Sequence, residues 1–110
     1  MVQTTLGLNA RRDMIAADIT DMAIGDDDTV ALITDVALGN QLDTQNIESV
    51  TNGATGIVTV RTRFPVGSAG TMVEVGSFEV GGDLQDHIIF APVVKGAGVE
   101  LLVDLTYTVS

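Results

Sequence analysis

The most constraining feature of this sequence is the stretch Gly98–Val109, in which apolar and polar residues alternate. Every second residue from Val99 onward is apolar, and the residues between them are polar apart from Leu102. Successive side chains of a β-strand point to opposite faces, so the pattern predicts a strand with one apolar and one mainly polar face. At about 3.4 Å per residue the stretch would extend roughly 40 Å, which requires long partner strands.

The segment Gly56–Val66 has the same alternation and is a natural partner for that strand. Its residues predicted to share the inward face are Val58, Val60, Thr62 and Phe64. The dipeptide Asn52–Gly53 precedes this segment and is a strong hairpin signal, because both residue types tolerate the positive φ of a tight turn. It predicts antiparallel pairing with a strand at Leu42–Thr51, which Ile47 and Val50 would anchor.

Three further segments are predicted to be strands: Asp21–Gly25, Thr71–Val80 and Leu84–Ala91. Pro92 is expected to end the last of them, because proline cannot donate a hydrogen bond to a neighbouring strand. The apolar residues of the middle segment change parity halfway along it. We therefore predict a β-bulge at Gly76–Ser77, which would restore a single apolar face and keep Glu74 away from it.

One helix is predicted, at Leu8–Ile19, with Asn9 as its N-cap. Leu8, Ile15 and Ile19 would lie near one face of this helix. Farther along, Asp35 is predicted to cap a turn that ends near Gln41.

This order of elements predicts a mainly β protein, an antiparallel β-sandwich or meander with one short N-terminal helix. The connections between strands are short, whereas a parallel sheet would need crossover helices. With 110 residues, the chain is expected to form a single domain over residues 1–110.

Fifteen acidic residues against five basic ones give a net charge of −10, and Lys95 is the only lysine. Such a composition is typical of proteins from a saline cytoplasm, where molar salt shortens the Debye length to about 3 Å. An ordinary acidic protein is the alternative. The sequence has no basic patch to neutralise phosphates, so we expect no nucleic-acid partner. It has no apolar run near the ~18 residues of a membrane span and no recognisable secretory signal, so we expect cytoplasmic assembly without a membrane partner.

The sequence offers little catalytic chemistry, because it has no cysteine and a single histidine, His87. We predict that His87 is a surface or partly buried structural residue, that the protein is not an enzyme, and that it uses no cofactor. Asp26, Asp27 and Asp28 are the weak candidates for binding a hard cation. Three consecutive acids do not match the alternating ligands of an EF-hand loop, so a solvated acidic loop without metal is the expectation.

Arg61 and Arg63 lie two residues apart and would share one strand face, which calls for nearby acids. Glu74 or Glu79 on an adjacent strand are the predicted partners. The arginines would form either a solvent-exposed pair or ion pairs between subunits, a role that suits arginine. The residues predicted to lie at a subunit interface are Leu8, Arg12, Ile15, Arg61, Arg63 and Leu102.

Six segments, taken in order, resemble a small β-domain of the tail and tail-fibre proteins of tailed viruses. They are Leu6–Arg12, Ala23–Gly25, Thr34–Gln41, Met72–Phe78, Phe90–Lys95 and Leu105–Val109. The resemblance lies in the order and spacing of these segments and covers nearly the whole chain. It departs from the family pattern at Ser77, where an apolar residue is usual, and at Gln41, where an acid is common.

The resemblance implies a β-rich, often trimeric structural protein that attaches to a baseplate or carries a receptor-binding tip. The acidic composition makes a virus of a halophilic archaeon the natural source. The implied partners are other copies of the chain, other virion proteins and the host surface, and the implied location is the virion. A capsid decoration or turret protein and a carbohydrate-binding module for the host surface are the alternatives.

Overall fold

A computed structural model describes residues 4–109 of the chain, and these residues form one helix and seven strands. The elements are α1 (Thr5–Asp18), β1 (Ile19–Gly25), β2 (Gln41–Asn46), β3 (Ser49–Asn52), β4 (Ile57–Phe64), β5 (Gly70–Glu79), β6 (Leu84–Lys95) and β7 (Leu101–Thr108). The strands form a four-stranded sheet in the order β2-β1-β5-β6 and a three-stranded sheet in the order β3-β4-β7. All neighbouring strands are antiparallel. The predicted fold class is confirmed, in its sandwich form.

The core lies between the two sheets, because each contributes the apolar face of its strands. Residues of β1 and β5 from one sheet pack with residues of β4 and β7 from the other in one buried cluster. Its members are Ile19, Met22, Ile24, Val60, Phe64, Met72, Val75 and Leu105. Strand β4 shows the predicted alternation, since all four residues expected to point inward are fully buried. Burial of such side chains is the main contribution to stability in a domain of this size.

The helix begins three residues earlier than predicted. Thr4, not Asn9, is the N-cap, and its hydroxyl oxygen accepts a hydrogen bond from the Gly7 N–H at 3.1 Å. Asn9 lies inside the helix, where its Oδ1 accepts a hydrogen bond from the Gly56 N–H. The predicted cap was therefore wrong because the Asn9 side chain serves a tertiary contact. This helix is too short and too polar to cross a bilayer, and it is the one helix of residues 4–109.

The final strand is shorter than the alternation predicts. β7 contains eight residues because its partner β4 contains eight, and the two pair residue for residue from Ile57↔Thr108 to Phe64↔Leu101. Val99 belongs to a turn instead, where its N–H donates to the Gly96 carbonyl. The predicted inward and outward faces of β7 itself are confirmed.

The strand predicted at Leu42–Thr51 is two strands, β2 and β3, which belong to different sheets. The chain passes from one sheet to the other at Ile47 and Glu48, and this crossing closes one side of the sandwich. Ile47 packs against the core as predicted. Val50 lies on the edge strand β3 and is about half exposed, so its predicted role as an anchor was wrong.

Strand β5 has no bulge at Gly76–Ser77, and Glu74 is fully buried. β5 lies between β1 and β6 and is covered on both faces, so all residues from Met72 to Ser77 are buried and no single apolar face exists. The register against β1 is regular from Glu74 to Phe78. The irregularities are in the pairing of β5 with β6, and the extra residues lie on β6.

Strand β6 continues through Pro92 to Lys95, so the prediction that proline ends it was wrong. β6 is an edge strand with a neighbour on one side only. Pro92 lies where the register with β5 is interrupted, between the pairs Met72↔Val93 and Glu74↔Ile89. A missing N–H is tolerated at such a position.

Gly76 shows how closely β5 is covered. A Cβ atom at this position would come into contact with Leu38 Cδ1 and would lie 2.8 Å from Leu84 Cδ1. We expect Gly76→Ala to lower the free energy of unfolding by about 1–3 kcal/mol, because both side chains would have to move. Urea unfolding checks this. Gly98→Ala is the control, since no atom lies within 4 Å of its added Cβ; an equal loss in both variants would contradict the packing argument.

Candidate functional site

The carboxylate of Glu74 is the centre of a polar cluster on the outer face of the four-stranded sheet. It accepts hydrogen bonds from three backbone N–H groups of the segment between β1 and β2. The Gly39 N–H donates to Oε1 at 2.8 Å, and the N–H groups of Asp27 and Asn40 donate to Oε2 at 2.9 Å. We call residues 26–40 the clamped loop, because one side chain holds both of its ends. Glu74 thereby supplies acceptors to N–H groups that no strand satisfies.

His87 completes the cluster from strand β6. Its Nε2 lies 2.9 Å from Glu74 Oε1, and its Nδ1 lies 2.7 Å from Asp35 Oδ2 in the clamped loop. A neutral imidazole has one N–H, whereas the imidazolium ion has two. Since both ring nitrogens face carboxylate oxygens, the arrangement fits an imidazolium that donates to Glu74 and Asp35. His87 is half-buried, which is the second of the two positions predicted for it.

The pKa directions agree with that charge state. Burial alone would lower the pKa of His87 below its ordinary value of 6.5, but hydrogen bonds and charges from Asp35 and Glu74 outweigh it and raise the pKa. Burial alone would raise the pKa of Glu74, but the three backbone donors and His87 lower it below 4.5. The pKa of Asp35 is lowered from 3.8 mainly by the Leu32 N–H and then by His87.

Three acidic residues of the clamped loop accept hydrogen bonds within the loop. Asp27 Oδ1 accepts a hydrogen bond from the Thr29 N–H, and Asp26 Oδ1 accepts one from Asn40 Nδ2. Asp35 was predicted to cap the turn that follows it, but its Oδ2 accepts a hydrogen bond from the Leu32 N–H before it. Of the three metal candidates, Asp26 and Asp28 are exposed and Asp27 is half-buried. No group of three or more histidine, aspartate or glutamate side chains in residues 4–109 is arranged to hold a metal ion.

A small pocket of about 130 Å³ lies beneath the clamped loop. Its lining residues are Asp27, Thr29, Val30, Asp35, Ala37, Gly39, Glu74 and His87. The top of the same loop carries aliphatic side chains to solvent: Val30, Leu32, Ile33 and Val36. Ile33 is fully exposed. The polar cluster thus holds a loop whose outer surface is apolar, a feature that the sequence pattern did not predict.

The predicted interface residues lie on two separate surfaces. Leu8 and Ile15 are half-buried on α1, and Arg12 is buried with 9% of its surface exposed. Arg12 Nε donates to Asp13 at 3.0 Å. Leu102 is 45% exposed on the edge strand β7.

Arg61 and Arg63 form ion pairs within the chain, on the outer face of the three-stranded sheet. Arg61 makes two parallel hydrogen bonds to Asp104, at 2.8 and 3.0 Å. Arg63 bonds Glu48 and Glu100. The predicted partners Glu74 and Glu79 were wrong, because both lie on the other sheet.

An apolar groove of about 310 Å³ runs along the open side of the sandwich, between the edge strands β6 and β7. Its lining residues are Val75, Ile88, Phe90, Val93, Leu101, Leu102, Val103, Asp104 and Leu105. Asp104 is the only charged residue among them, and Arg61 neutralises it. The groove is therefore an uncharged apolar surface on a strongly acidic chain.

No protein-family model and no curated protein matches the chain.

The polar cluster could not have been predicted from sequence spacing, because Asp35, Glu74 and His87 lie far apart in the sequence, in one loop and two different strands. The available signal was Glu74, a charged residue within the apolar run Met72–Val75. The predicted bulge at Gly76–Ser77 placed Glu74 away from the apolar face, so its burial was not predicted.

We expect Glu74→Gln to lower the free energy of unfolding by about 3 kcal/mol, because the amide NH₂ would face backbone N–H groups and His87 would lose a buried counter-ion. Urea unfolding measures the loss, and hydrogen exchange of the Gly39 and Asn40 amides locates it. Glu79→Gln on the same strand is the matched control and should change stability by less than about 0.5 kcal/mol. Similar exchange in both variants would show that Glu74 does not hold the loop.

The clamp should also have a pH window. The contribution of His87, whose pKa is raised, is fully present below pH 6.5 and is lost as the pH rises through the folded pKa. The contributions of Glu74 and Asp35, whose pKa values are lowered, are present above 4.5 and 3.8 and are lost as the pH falls through the folded values. The stability difference between wild type and His87→Gln should therefore be greatest near pH ~5–6. Urea unfolding at acidic, neutral and alkaline pH checks this, and a constant difference would contradict it.

Proposed function

We propose that this protein is a non-enzymatic structural component of a tailed virus with a halophilic host, located in the tail, baseplate or tail fibre. It would assemble with copies of itself, a trimer being the favoured state, and with other virion proteins in the host cytoplasm. The proposal rests on the family resemblance of the sequence, and the β-rich fold is the kind of fold that this resemblance implies.

The apolar groove between β6 and β7 is the observation that carries the assembly part of the proposal. A chain with a net charge of −10 is expected to keep its surface polar, yet Ile88, Val93 and Leu102 are each exposed by 40% or more around this groove. Contiguous exposed apolar surface of this kind marks interaction sites in soluble proteins. Molar salt would also favour assembly, because it screens the repulsion between acidic copies.

The chemistry of the polar cluster favours a structural role over catalysis. A general base needs an unprotonated nitrogen or oxygen within reach of a substrate proton. Both nitrogens of His87 are engaged by carboxylates, and both oxygens of Glu74 accept hydrogen bonds from the clamped loop. The cluster therefore serves to hold the loop.

The carbohydrate-binding alternative has weaker support. Sugar-binding modules commonly stack a pyranose ring on an exposed aromatic side chain. The aromatic residues of this chain are Phe64, Phe78, Phe90 and Tyr107. Phe64 is fully buried and the other three are half-buried.

Light scattering of the purified protein in molar salt and in low salt tests the proposal. We expect a trimer, or a hexamer made of two trimers, in molar salt, with weaker assembly in low salt. A pentamer or a hexameric ring would favour the capsid decoration or turret alternative. A monomer in both salts would overturn the proposal and favour a binding module.

We expect Leu102→Asp to weaken assembly and to leave the fold of the single chain intact, because Leu102 is 45% exposed at the groove. Light scattering measures assembly, and circular dichroism checks the fold. Val66→Asp adds the same charge at an exposed valine in the connection between β4 and β5 and serves as the control. Unchanged assembly of a folded Leu102→Asp variant would remove this residue from the interface.

A further inference from the structure

The clamped loop presents an apolar tip to solvent. Within residues 30–36, which we name the loop tip, four aliphatic side chains are exposed by 60% or more: Val30, Leu32, Ile33 and Val36. A turn lies in this tip, because the Asp35 N–H donates to the Leu32 carbonyl at 3.0 Å. Turn positions ordinarily carry glycine, proline, asparagine, aspartate or serine. Ile33 occupies one here and is fully exposed, so its side chain adds no apolar burial to the fold of the single chain.

The polar cluster fixes the position of the loop tip. Asp35 Oδ2 accepts a hydrogen bond from the Leu32 N–H at 2.8 Å and lies 2.7 Å from Nδ1 of His87 on β6. Glu74 holds N–H groups at both ends of the same loop. A surface that is already ordered loses little conformational freedom when it binds a partner. The loop tip is therefore a preformed, protruding apolar surface.

The apolar groove between β6 and β7 admits an occupant from solvent only. Leu105 of β7 and Val75 of β5 belong to one buried cluster, so β7 is already packed within its own chain. The exposed residues around the groove are Ile88, Val93 and Leu102. An occupant must insert side chains between these residues while every strand of the chain stays in place. A protruding turn with aliphatic side chains meets this requirement.

The charges favour a second copy of this chain as the occupant. Residues 29–34 carry no charge, and Asp35 is paired with His87. Asp104 of the groove is bonded twice to Arg61. The whole chain has a net charge of −10, so most approaches between copies bring unpaired acids together. An approach of the loop tip to the groove does not.

We infer that the loop tip of one copy docks in the apolar groove of the next copy, with Ile33 inserted between β6 and β7. The two surfaces differ, so the contact is head-to-tail and repeats from copy to copy until a ring closes. The contact rests on the self-assembly in the proposed function and names the two surfaces that form its trimer.

The placement of the two surfaces favours a closed ring of few copies. Both border strand β6. The loop tip lies beside residues 84–87 at the start of this strand, and Ile88 and Phe90, which follow them, line the groove. Head-to-tail surfaces at opposite ends of a molecule would give an open filament, whereas surfaces that border one strand require each copy to turn sharply from the last.

A charge at Ile33 tests the loop tip without touching the core. We expect Ile33→Asp to raise the dissociation constant of the assembly in molar salt about tenfold or more, because a carboxylate would enter an apolar groove. Ile33→Val keeps an aliphatic side chain and should assemble like the wild type. Val66→Asp adds the same charge at an exposed valine outside both surfaces and is the control. Light scattering over a concentration series measures assembly, and circular dichroism verifies each fold.

Cross-linking tests whether the contact is head-to-tail, since the chain has no cysteine of its own. Ile33→Cys and Leu102→Cys proteins are mixed in low salt, assembled in molar salt and treated with a short bis-maleimide. We expect a covalent dimer from the mixture and none from either variant alone, because each contact joins one loop tip to one groove. Leu6→Cys replaces Ile33→Cys in the control mixture; Leu6 is exposed on α1, lines neither surface and should give no covalent dimer.

The double variant Ile33→Cys/Leu102→Cys measures the size of the ring. Complete cross-linking should give a ladder on a denaturing gel that ends at the trimer. This ladder, together with cross-linking confined to the mixture, would support the contact and its ring. A ladder that continues without an end would overturn the ring, and a covalent dimer of Leu102→Cys alone would overturn the head-to-tail arrangement.

Failure of the contact and failure of the proposed function give different results. A wild-type trimer in molar salt with no cross-link in the mixture would overturn the contact and leave the proposed virion role standing. Conversely, cross-linking confined to the mixture with a ladder that ends at the pentamer or hexamer would support the contact. That result would contradict the tail or fibre assignment and favour the capsid alternative.

Discussion

The buried carboxylate of Glu74 is the interaction on which the rest of this structure depends. A charge placed in the interior is very costly unless hydrogen bonds and opposite charge compensate for it. Three backbone N–H groups and His87 supply that compensation, and all three N–H groups belong to residues 26–40. A segment without regular strands therefore acquires one conformation and covers the outer face of β5. Without the Glu74 carboxylate, these three N–H groups would lose their acceptors.

The clamp also explains why β5 differs from the other long strands. β4 and β7 each have one face toward the core and one toward solvent, whereas β5 is buried on both faces. Two residues permit the burial of both faces. Gly76 has no side chain, so Leu38 and Leu84 can pack closely on it. Ser77 is polar, but its Oγ donates a hydrogen bond to Asp86 and accepts one from the Tyr107 hydroxyl. Ser77, which departs from the pattern of the resembling family, is thus satisfied by its own network in this chain.

Charge is distributed unevenly over the surface of the molecule. Arg61 and Arg63 hold three acids on the outer face of the three-stranded sheet, and His87 neutralises part of the clamp. The open side between β6 and β7 carries apolar residues and one ion-paired aspartate. The open side is therefore a surface on which the copies of the proposed assembly would meet little unpaired charge.

The sequence by itself determined the elements whose pattern is local: the alternation of β4 and β7, the antiparallel class, the hairpin before Ile57 and the presence of one N-terminal helix. Period-2 burial is a property of a single strand with one solvent face, so it can be read without the fold. Tertiary structure alone decided the burial of both faces of β5, the passage of β6 through Pro92 and the division of Leu42–Thr51 between two sheets. It also decided the ion pairs of the arginines and the meeting of Asp35, Glu74 and His87. Each of these depends on which strand or loop lies alongside, and contacts between residues distant in sequence leave no period for a pattern to reveal.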